Sequence, residues 1–385
     1  MKAAVFHKPH DIRYETIPDP VIKHPKDVII RVTSTAICGS DLHIINGLFP
    51  QVRPQVLGHE FMGEVVEVGS EIQNLKNGDR VVVPFPIACG RCFFCEHQLP
   101  TGCENSNLEH YGPRGGLVED KGGGLFGYTD IYGGYDGGQA EFVRVPFADY
   151  GPRKVPEELN DEQVLFLTDI LPTGWSAVDW ANLKGGETVV VYGCGPVGLM
   201  AQKAAWFKGA GRVIGVDVLD YRLKKASELC ASEIINNAEG DAPERIISMT
   251  NGRGADVCIE AVGLEADRRF IDKLSSVIHM QRGTMKVVAD CMTSVRRGGH
   301  ISIMGVYGTN YDNFPLGKWF DKCISVKAGQ APVHNYIDML MGLVVSGKIT
   351  ANDIITHRLM LKDVAHAYKI FNNHEDDCLK VVMTP

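Results

Sequence analysis

Residues 187–198 read ETVVVYGCGPVG, and this stretch decides the fold. Its β-branched run predicts a strand over Glu187–Tyr192, and the glycines that follow predict a tight turn. Residues 197–208 then have the pattern of a helix, and Arg212–Asp217 returns to a β pattern. Strand, glycine turn, helix and strand in this order predict a parallel sheet with helices on both faces.

The glycine turn matches G-x-G-x-x-G, a pattern that is weak alone and stronger between a strand and a helix. Its three glycines permit the tight turn, the approach of a pyrophosphate to the backbone, and close packing of the helix against the strand. The helix would start near Pro196, with the phosphates at its N-terminus. Asp217 closes the next strand, 19 residues after Gly198. An acid there binds the ribose hydroxyls of NAD and repels the extra phosphate of NADP, so we expect NAD. Arg222 would cover the adenine or partly restore NADP binding, and a turn that binds no nucleotide is the alternative.

The alternation of strands and helices continues beyond this unit. A helix is predicted over Tyr221–Cys230, and buried strands over Asp256–Ile259 and His300–Met304. The first 150 residues or so differ, because short β-branched runs are separated there by turn signals, at Val28–Val32, Gly63–Val68 and Arg80–Val83. The predicted fold class is therefore α/β, a doubly wound parallel sheet plus a β-rich domain that is a small barrel or sandwich.

A glycine-rich segment interrupts the β-rich part. Eleven of the 27 residues in 112–138 are glycine, which predicts a loop or insertion with little regular structure. The segment is interpreted either as a solvated surface excursion or as a flap over a binding cleft.

Length, composition and charge limit the classes of protein to which this chain can belong. A chain of 385 residues with 44% hydrophobic and 22% charged residues is long enough for two globular domains. The net charge of -8 argues against broad electrostatic capture of nucleic acid. Neither a membrane span nor a signal peptide is recognised, so a cytoplasmic location is expected.

Four of the eleven cysteines crowd together, with the spacing C-x2-C-x2-C-x7-C, at Cys89, Cys92, Cys95 and Cys103. Four thiolates close a tetrahedron around one zinc and leave no position for water, which predicts a structural zinc. Iron–sulfur ligation, a nucleic-acid zinc ribbon and four unligated cysteines are the alternatives. Burial is the expectation for the scattered cysteines, which are Cys194, Cys230, Cys258, Cys291, Cys323 and Cys378. Core or interface positions are expected for Phe270 and Trp319.

A second set of metal-binding side chains lies upstream. Cys38 opens the stretch CGSDLH, and His59 follows 21 residues later within Gly58-His59-Glu60. A thiolate and an imidazole on separate loops would form two corners of an open zinc site, which needs a third protein ligand. The spacing does not choose that ligand, and structural burial of a lone cysteine and a lone histidine is the alternative.

The pattern Gly58-His59-Glu60-x2-Gly63-x5-Gly69-x2-Ile72 resembles the zinc alcohol dehydrogenase signature of the medium-chain dehydrogenase/reductase family. The order of the Cys38–His43 motif, the four cysteines and the nucleotide turn also matches that family. Within it, the chain is most similar to glutathione-independent formaldehyde dehydrogenases. That likeness is carried by GGYxxGQAE at 133–141, RVPFAD at 144–149, DxxPTG at 169–174 and GQxPV at 329–333.

The resemblance implies a domain organisation. It implies a GroES-like catalytic domain over 1–163 with a zinc lobe at 89–103, a Rossmann NAD-binding domain over 164–320, and a segment over 321–385 that returns to the catalytic domain. Homo-oligomers, tetramers or dimers, are common in the family, and neither nucleic acid nor membrane is an expected partner.

The resemblance also implies roles for individual residues. Asp169 becomes the third ligand of a catalytic zinc, with Cys38 and His59. Ser40 accepts the substrate proton, which passes through the nicotinamide ribose to His43 near the surface. Glu60 is a transient ligand or a field-tuning charge, or a carboxylate that only orients its neighbours. The cofactor would contact Gly193, Gly195, Pro196, Val197, Gly198, Asp217, Arg222, Val262, Gly305 and Gln330.

The activity expected from the resemblance is hydride transfer between NAD and a small alcohol or aldehyde hydrate, with formaldehyde favoured. An alcohol, polyol or amino-alcohol dehydrogenase of the same family is the alternative, as is an aldehyde dismutase that retains its NAD. A non-catalytic protein on the same fold is the alternative from another class, and the intact set of catalytic side chains argues against it.

Overall fold

The computed structural model describes residues 1–49, 51, 53–107, 122–263, 285–307 and 314–385. It divides into two compact units, the first formed by Met1–Pro172 with Pro332–Pro385 and the second by Thr173–Ala331. The domain boundaries implied by the family resemblance lie after residues 163 and 320. No helix among the described residues has both the length and the apolar character that a membrane span requires.

The strands of the described residues follow the chain as β1 (Lys2–Lys8), β2 (Asp11–Thr16), β3 (Val28–Ala36), β4 (Gln55–Val56), β5 (Glu60–Val68), β6 (Arg80–Val83), β7 (Phe142–Val145), β8 (Arg153–Lys154), β9 (Thr188–Tyr192), β10 (Arg212–Asp217), β11 (Glu233–Asn236), β12 (Ala255–Glu260), β13 (Val295–Ile303), β14 (Ser325–Ala328), β15 (His357–Met360) and β16 (Val381–Thr384).

Over the same described residues, the α-helices are α1 (Gly39–Ile45), α2 (Phe93–Glu96), α3 (Asp161–Val164), α4 (Ile170–Ala181), α5 (Pro196–Phe207), α6 (Asp220–Cys230), α7 (Ala242–Met249), α8 (Lys286–Ser294), α9 (Leu316–Lys322), α10 (Ile337–Val345) and α11 (Val364–Asn373). The predicted strands and helices are confirmed, with boundaries that differ by a few residues. The largest difference is at β13, which begins at Val295 rather than His300.

The first unit is built on a sheet with the order β15-β16-β3-β5-β6-β8, in which β7 also pairs with β3. A smaller sheet has the order β2-β1-β4. The pairing of β3 with β5 is antiparallel, and Gly63 is required in it because a Cβ there would lie 2.1 Å from the carbonyl oxygen of Arg31. The C-terminal strand β16 pairs with the other edge of β3, so the chain end completes the first unit.

The described part of the glycine-rich segment, residues 122–138, has little regular structure, as predicted; its residues 112–121 lie outside the described part. It is nevertheless packed into the first unit, because Leu125, Phe126 and Ile131 are buried and the Phe126 ring meets Phe61 edge-on at 5.2 Å. The interpretation as a solvated excursion is wrong for these residues, since apolar side chains recur among the glycines.

Within the described residues, the second unit contains a six-stranded sheet with the order β11-β10-β9-β12-β13-β14, and each of these pairings is parallel. Numbered from β9, this is the order 3-2-1-4-5-6 of doubly wound nucleotide-binding sheets. The strand order reverses between β9 and β12, so the loops after these two strands border the crevice where ligands bind in such sheets. The predicted fold class is confirmed.

One of the scattered cysteines departs from the expected burial. Cys194, Cys230, Cys258, Cys291 and Cys378 are buried, whereas Cys323 is exposed. Cys323 ends α9 in the left-handed conformation, with φ 52°, and this turn directs its side chain away from the core. Trp319 packs partly buried against the core of the second unit. Phe270 lies outside the described residues.

The C-terminal segment contributes a buried histidine to the first unit. The ring of His334 stacks on Tyr150 at 5.0 Å, and neither ring nitrogen has a hydrogen-bond partner among the described residues. Burial, helped by the charge of Arg153, lowers the pKa of His334 to about 3. An unfolded histidine has a pKa of about 6.5, so below that pH the unfolded state binds a proton that the folded state does not.

We therefore expect His334→Phe to reduce the sensitivity of the protein to acid. The stability of the wild type should fall as the pH drops from about 6.5 toward 3, and the denaturant midpoint of the variant should fall less steeply. The measurement is the urea midpoint between pH 7.5 and pH 5, with the exposed His366→Phe as the control. Equal slopes for wild type and His334→Phe would contradict the assignment.

Candidate active site

The four clustered cysteines meet in space within the first unit. Sulfur–sulfur distances are 3.5 Å for Cys92 and Cys95, 3.9 Å for Cys92 and Cys103, and 4.0 Å for Cys89 and Cys95. A tetrahedral zinc with bonds of about 2.3 Å to sulfur requires separations of about 3.8 Å, so the four thiols fit one zinc. Although burial opposes it, hydrogen bonds from the Arg91 backbone and other donors lower the pKa of Cys89 to about 7.

A second cluster consists of Cys38, His59, Glu60 and Asp169, whose ligand atoms lie within 4.8 Å of one another. Oδ2 of Asp169 is 3.3 Å from Sγ of Cys38 and 3.3 Å from Nε2 of His59. Ligands of one tetrahedral zinc with these donor types are about 3.3 to 3.6 Å apart. All four side chains are buried, so the donor set suits a cation that is shielded from bulk water. The structure thus brings together the three ligands predicted from the sequence.

The local structure explains how residues distant in sequence meet. Cys38 follows β3 and precedes α1, His59 immediately precedes β5, and Asp169 lies between a short 3-10 helix and α4. The paired residues Ala36 and Glu60 place the end of β3 beside the start of β5. The thiol and the imidazole are therefore aligned by the register of one pair of strands.

Asp41 is a site residue that the sequence analysis missed. One carboxylate oxygen accepts a hydrogen bond from the backbone N–H of Cys38 at 2.9 Å, and the other lies 3.2 Å from Nδ1 of His59. This arrangement directs Nε2 of His59 toward the cluster, which is the usual task of a carboxylate beside a metal-binding histidine. Its signal in the sequence was an acid three residues after Cys38, at the start of a helix.

The electrostatics of the second cluster favour a cation. Burial, together with the charges of Asp169 and Glu60, raises the pKa of the Cys38 thiol to about 11. Burial alone would lower the pKa of His59, but the charges of Asp41 and Cys38 hold it well above its usual value. A divalent cation among these ligands would reverse both effects, because it stabilises a thiolate and a neutral imidazole.

The two predicted relay residues lie on α1. Ser40 is half-buried, and its Oγ lies 3.1 Å from Nε2 of His59. His43 was predicted near the surface, and this is wrong, since the side chain is buried. The chain after α1 folds back over His43. The N–H of Leu48 donates to the carbonyl of His43 at 2.8 Å, and the ring centroids of His43 and Phe49 are 5.8 Å apart.

Glu60 is paired with a second residue that the sequence analysis missed. The side chain of Lys380 is buried and donates a hydrogen bond to Oε1 of Glu60 at 2.6 Å. Burial opposes the charge on Lys380, but the charge of Glu60 raises the pKa of the ammonium. The signal in the sequence was a lysine within the apolar run Leu379–Met383 of the last strand.

The glycine turn of the second unit has the geometry that its sequence predicted. Gly193 has φ 97°, and a Cβ there would lie 2.8 Å from the carbonyl oxygen of Ala261. A Cβ on Gly198 would lie 1.8 Å from the carbonyl oxygen of Gly193, so the helix packs closely on the strand. A Cβ on Gly195 would meet only the guanidinium of Arg222, at 3.7 Å, and α5 starts at Pro196. This leaves room for a phosphate at the start of the helix.

Asp217 and Arg222 both lie near the glycine turn. Oδ2 of Asp217 accepts a hydrogen bond from the N–H of Cys194 at 2.8 Å, and Oδ1 accepts from Val218 and Leu219. Asp217 thereby joins the end of β10 to the turn. The guanidinium of Arg222 lies against Gly195, since its Nη1 is 3.7 Å from the position of a Cβ on that glycine.

The remaining predicted cofactor residues are only partly brought together. The N–H groups of Val262, Gly263 and Gly305 all donate to the buried carboxylate of Glu260, at 2.9, 2.8 and 3.1 Å. Glu260 thus fixes the loops after β12 and β13 and was missed by the sequence analysis. Gln330 follows β14, which β12 and β13 separate from β9 in the sheet, and its contact with the cofactor stays a prediction.

The comparisons with known proteins agree with this geometry. Residues 24–154 match the Alcohol dehydrogenase GroES-like domain, and residues 196–276 match the Zinc-binding dehydrogenase model. The chain is 44% identical over 390 residues to an uncharacterized zinc-type alcohol dehydrogenase-like protein of Bacillus subtilis (strain 168), with 100% of both chains covered. It is 34% identical over 398 residues to the glutathione-independent formaldehyde dehydrogenase of Pseudomonas aeruginosa (strain LESB58), with 96% of this chain and 94% of the relative covered.

Among solved structures, the alcohol dehydrogenase TADH from Thermus sp. ATN1 superimposes with a TM-score of 0.85 at 34% identity, covering 100% of this chain and 99% of that chain. The full-length similarity to alcohol dehydrogenases, in sequence and in fold, agrees with the presence of two side-chain clusters suited to zinc. The chain therefore belongs to the zinc-containing alcohol dehydrogenases of the medium-chain dehydrogenase/reductase family and is an oxidoreductase of the zinc-type alcohol dehydrogenase kind.

Proposed function

We propose that the protein transfers hydride between NAD and a small alcohol or aldehyde hydrate, with formaldehyde hydrate as the favoured substrate. The observation that carries the proposal is the set of Cys38, His59 and Asp169, whose ligand atoms have the separations expected around one tetrahedral cation. Three protein ligands leave one coordination position for a substrate oxygen, which is what distinguishes catalytic from structural zinc sites.

The chain's own residues supply proton transfer and orientation. When bound, zinc would lower the pKa of a substrate hydroxyl and NAD would accept the hydride. Ser40 Oγ lies 3.1 Å from the ligand nitrogen of His59, so it is placed to take the proton. His43 lies three residues further on the same helix and faces the same side, where it would receive that proton. Asp41 keeps the imidazole of His59 in the ligand orientation.

Aromatic side chains near His59 support a small substrate. The rings of Phe85 and Tyr128 lie 5.9 Å and 6.4 Å from the imidazole, and Phe49 packs on Tyr128 at 5.8 Å. All three aromatic side chains are buried. These rings make the surroundings of His59 apolar, which supports a small substrate over a long polyol. The similarity to a formaldehyde dehydrogenase supports formaldehyde among the small candidates.

The choice of NAD over NADP is supported by the carboxylate at the end of β10. Asp217 has the position of the acid that binds ribose hydroxyls in NAD-binding turns, and its charge would repel a 2′-phosphate. Arg222 beside the turn acts in the opposite direction, so the preference for NAD is expected to be strong but not absolute.

A substrate panel tests the proposed reaction. With formaldehyde, methanol, ethanol and longer alcohols, we expect reduction of NAD with the highest kcat/KM for formaldehyde, because the apolar rings around His59 favour small substrates. Nicotinamide absorbance is the measurement, and Cys38→Ser is the inactive control. A higher kcat/KM for a longer alcohol would contradict the substrate, and failure to reduce either NAD or NADP would contradict the reaction itself.

Metal content tests the three-ligand site. Asp169→Ala should lose about one of two zinc ions per chain, because two ligands hold zinc poorly while the four-cysteine site is untouched. Elemental analysis of dialysed protein gives the number, and Asp321→Ala, an exposed aspartate, is the matched control. Full zinc content and activity in Asp169→Ala would show that Asp169 is not a ligand.

Cofactor selectivity tests the role of Asp217. In Asp217→Asn, the ratio of kcat/KM for NAD to that for NADP should fall by about tenfold or more, because the amide removes the repulsion of the extra phosphate. The amide oxygen keeps an acceptor for the N–H of Cys194, but the NH2 group replaces the oxygen that accepts from Val218 and Leu219. An unchanged circular dichroism spectrum is therefore the control for the fold of this variant. An unchanged ratio would show that Asp217 does not determine the preference for NAD over NADP.

A further inference from the structure

The second cluster contains one carboxylate more than an open zinc site requires. The ligand atoms of Cys38, His59, Glu60 and Asp169 all lie within 4.8 Å of one another, so Glu60 is near enough to become a fourth protein ligand. A zinc with four protein ligands has no position for substrate. The activity proposed above therefore requires that the carboxylate of Glu60 be restrained.

The restraint visible in the structure is Lys380. Its side chain is 0% exposed, and its ammonium donates to Oε1 of Glu60 at 2.6 Å and to the carbonyl oxygen of Ile37 at 2.8 Å. The face of the Phe166 ring lies 5.4 Å from the same nitrogen. A lysine is almost never fully buried unless it is paired, and these contacts hold the charge in one place.

The backbone fixes both partners of this ion pair relative to the ligands. Glu60 is opposite Ala36 in the pairing of β3 with β5, and Val382 is opposite the same Ala36 in the pairing of β3 with β16. Thr35 donates a hydrogen bond to the backbone carbonyl of Glu60 at 3.0 Å. The ion pair is thus set by strand register rather than by flexible loops.

The two carboxylate oxygens of Glu60 differ in their hydrogen-bond partners. Oε1 accepts the hydrogen bond of Lys380, whereas Oε2 is buried and has no hydrogen-bond partner among the described residues. A buried carboxylate oxygen without a donor is costly, and a cation is the partner that such an oxygen lacks. Oε2 is therefore the atom that would move onto zinc if Oε1 were released.

We propose that Lys380 is a positioning residue, which holds Glu60 by Oε1 and so keeps the fourth coordination position of the Cys38–His59–Asp169 zinc open. This inference rests on the proposed function. Without Lys380, the charge of Glu60 is uncompensated, and its carboxylate becomes a fourth ligand that closes the site to exogenous ligands.

The test uses cobalt(II) in place of the catalytic zinc, with azide as a monodentate probe of the open position. Azide should change the visible d–d bands of the wild type, because it enters the coordination sphere. In Lys380→Met the Kd for azide should rise by about tenfold or more at unchanged cobalt content. Lys380→Arg should rescue azide binding, since it keeps the charge, and the exposed Lys362→Met is the matched control.

A double variant separates positioning from folding. Glu60→Gln combined with Lys380→Met removes both charges and should bind azide as the wild type does, because an amide is a poor zinc ligand. If Lys380→Met does not fold, this double variant carries the test, and a closed site in it overturns the proposal. Wild-type azide affinity in folded Lys380→Met overturns it as well. A wild type that takes up no cobalt at this site would instead defeat the proposed function.

Discussion

Ala36, at the end of β3, pairs with Glu60 on one side and with Val382 on the other. This double pairing brings together three stretches from the beginning, the middle and the end of the first unit. Cys38 follows the strand, His59 and Glu60 begin its neighbour, and Lys380 precedes the last strand. A slip of one residue in either pairing would turn these side chains to the opposite face of the sheet, so the geometry of the site depends on strand register.

Burying so many ionisable groups in one place is unfavourable without a cation. A thiol, an imidazole and the carboxylates of Asp41, Glu60 and Asp169 are all buried within this site, and Lys380 is a buried positive partner for one of them. Charges removed from water must be paired or must bind metal. The same demand explains the two roles of the surrounding residues: Asp41 orients a ligand, and Lys380 restrains a carboxylate that would otherwise compete with substrate.

The sequence was most informative where chemistry depends on local spacing. The glycine turn at residues 193–198 and the four cysteines at residues 89–103 are short motifs, and each adopts the predicted geometry. Asp169 was not identifiable from spacing, because it lies 131 positions from Cys38, and only the resemblance indicated it. Lys380 lies 320 positions from Glu60, so the spacing of residues could not indicate their ion pair. The burial of His43 and the exposure of Cys323 do not follow from residue type either, because both depend on how the chain folds back after a short helix.

The most direct test of the account is a crystal structure with anomalous diffraction recorded at the zinc absorption edge. Two peaks per chain are expected. One would lie among the sulfurs of the four clustered cysteines, and the other would lie about 2.3 Å from Sγ of Cys38 and about 2.0–2.2 Å from the ligand atoms of His59 and Asp169. A structure whose only peak lies at the four-cysteine lobe, or whose second zinc is held without Asp169, would contradict it.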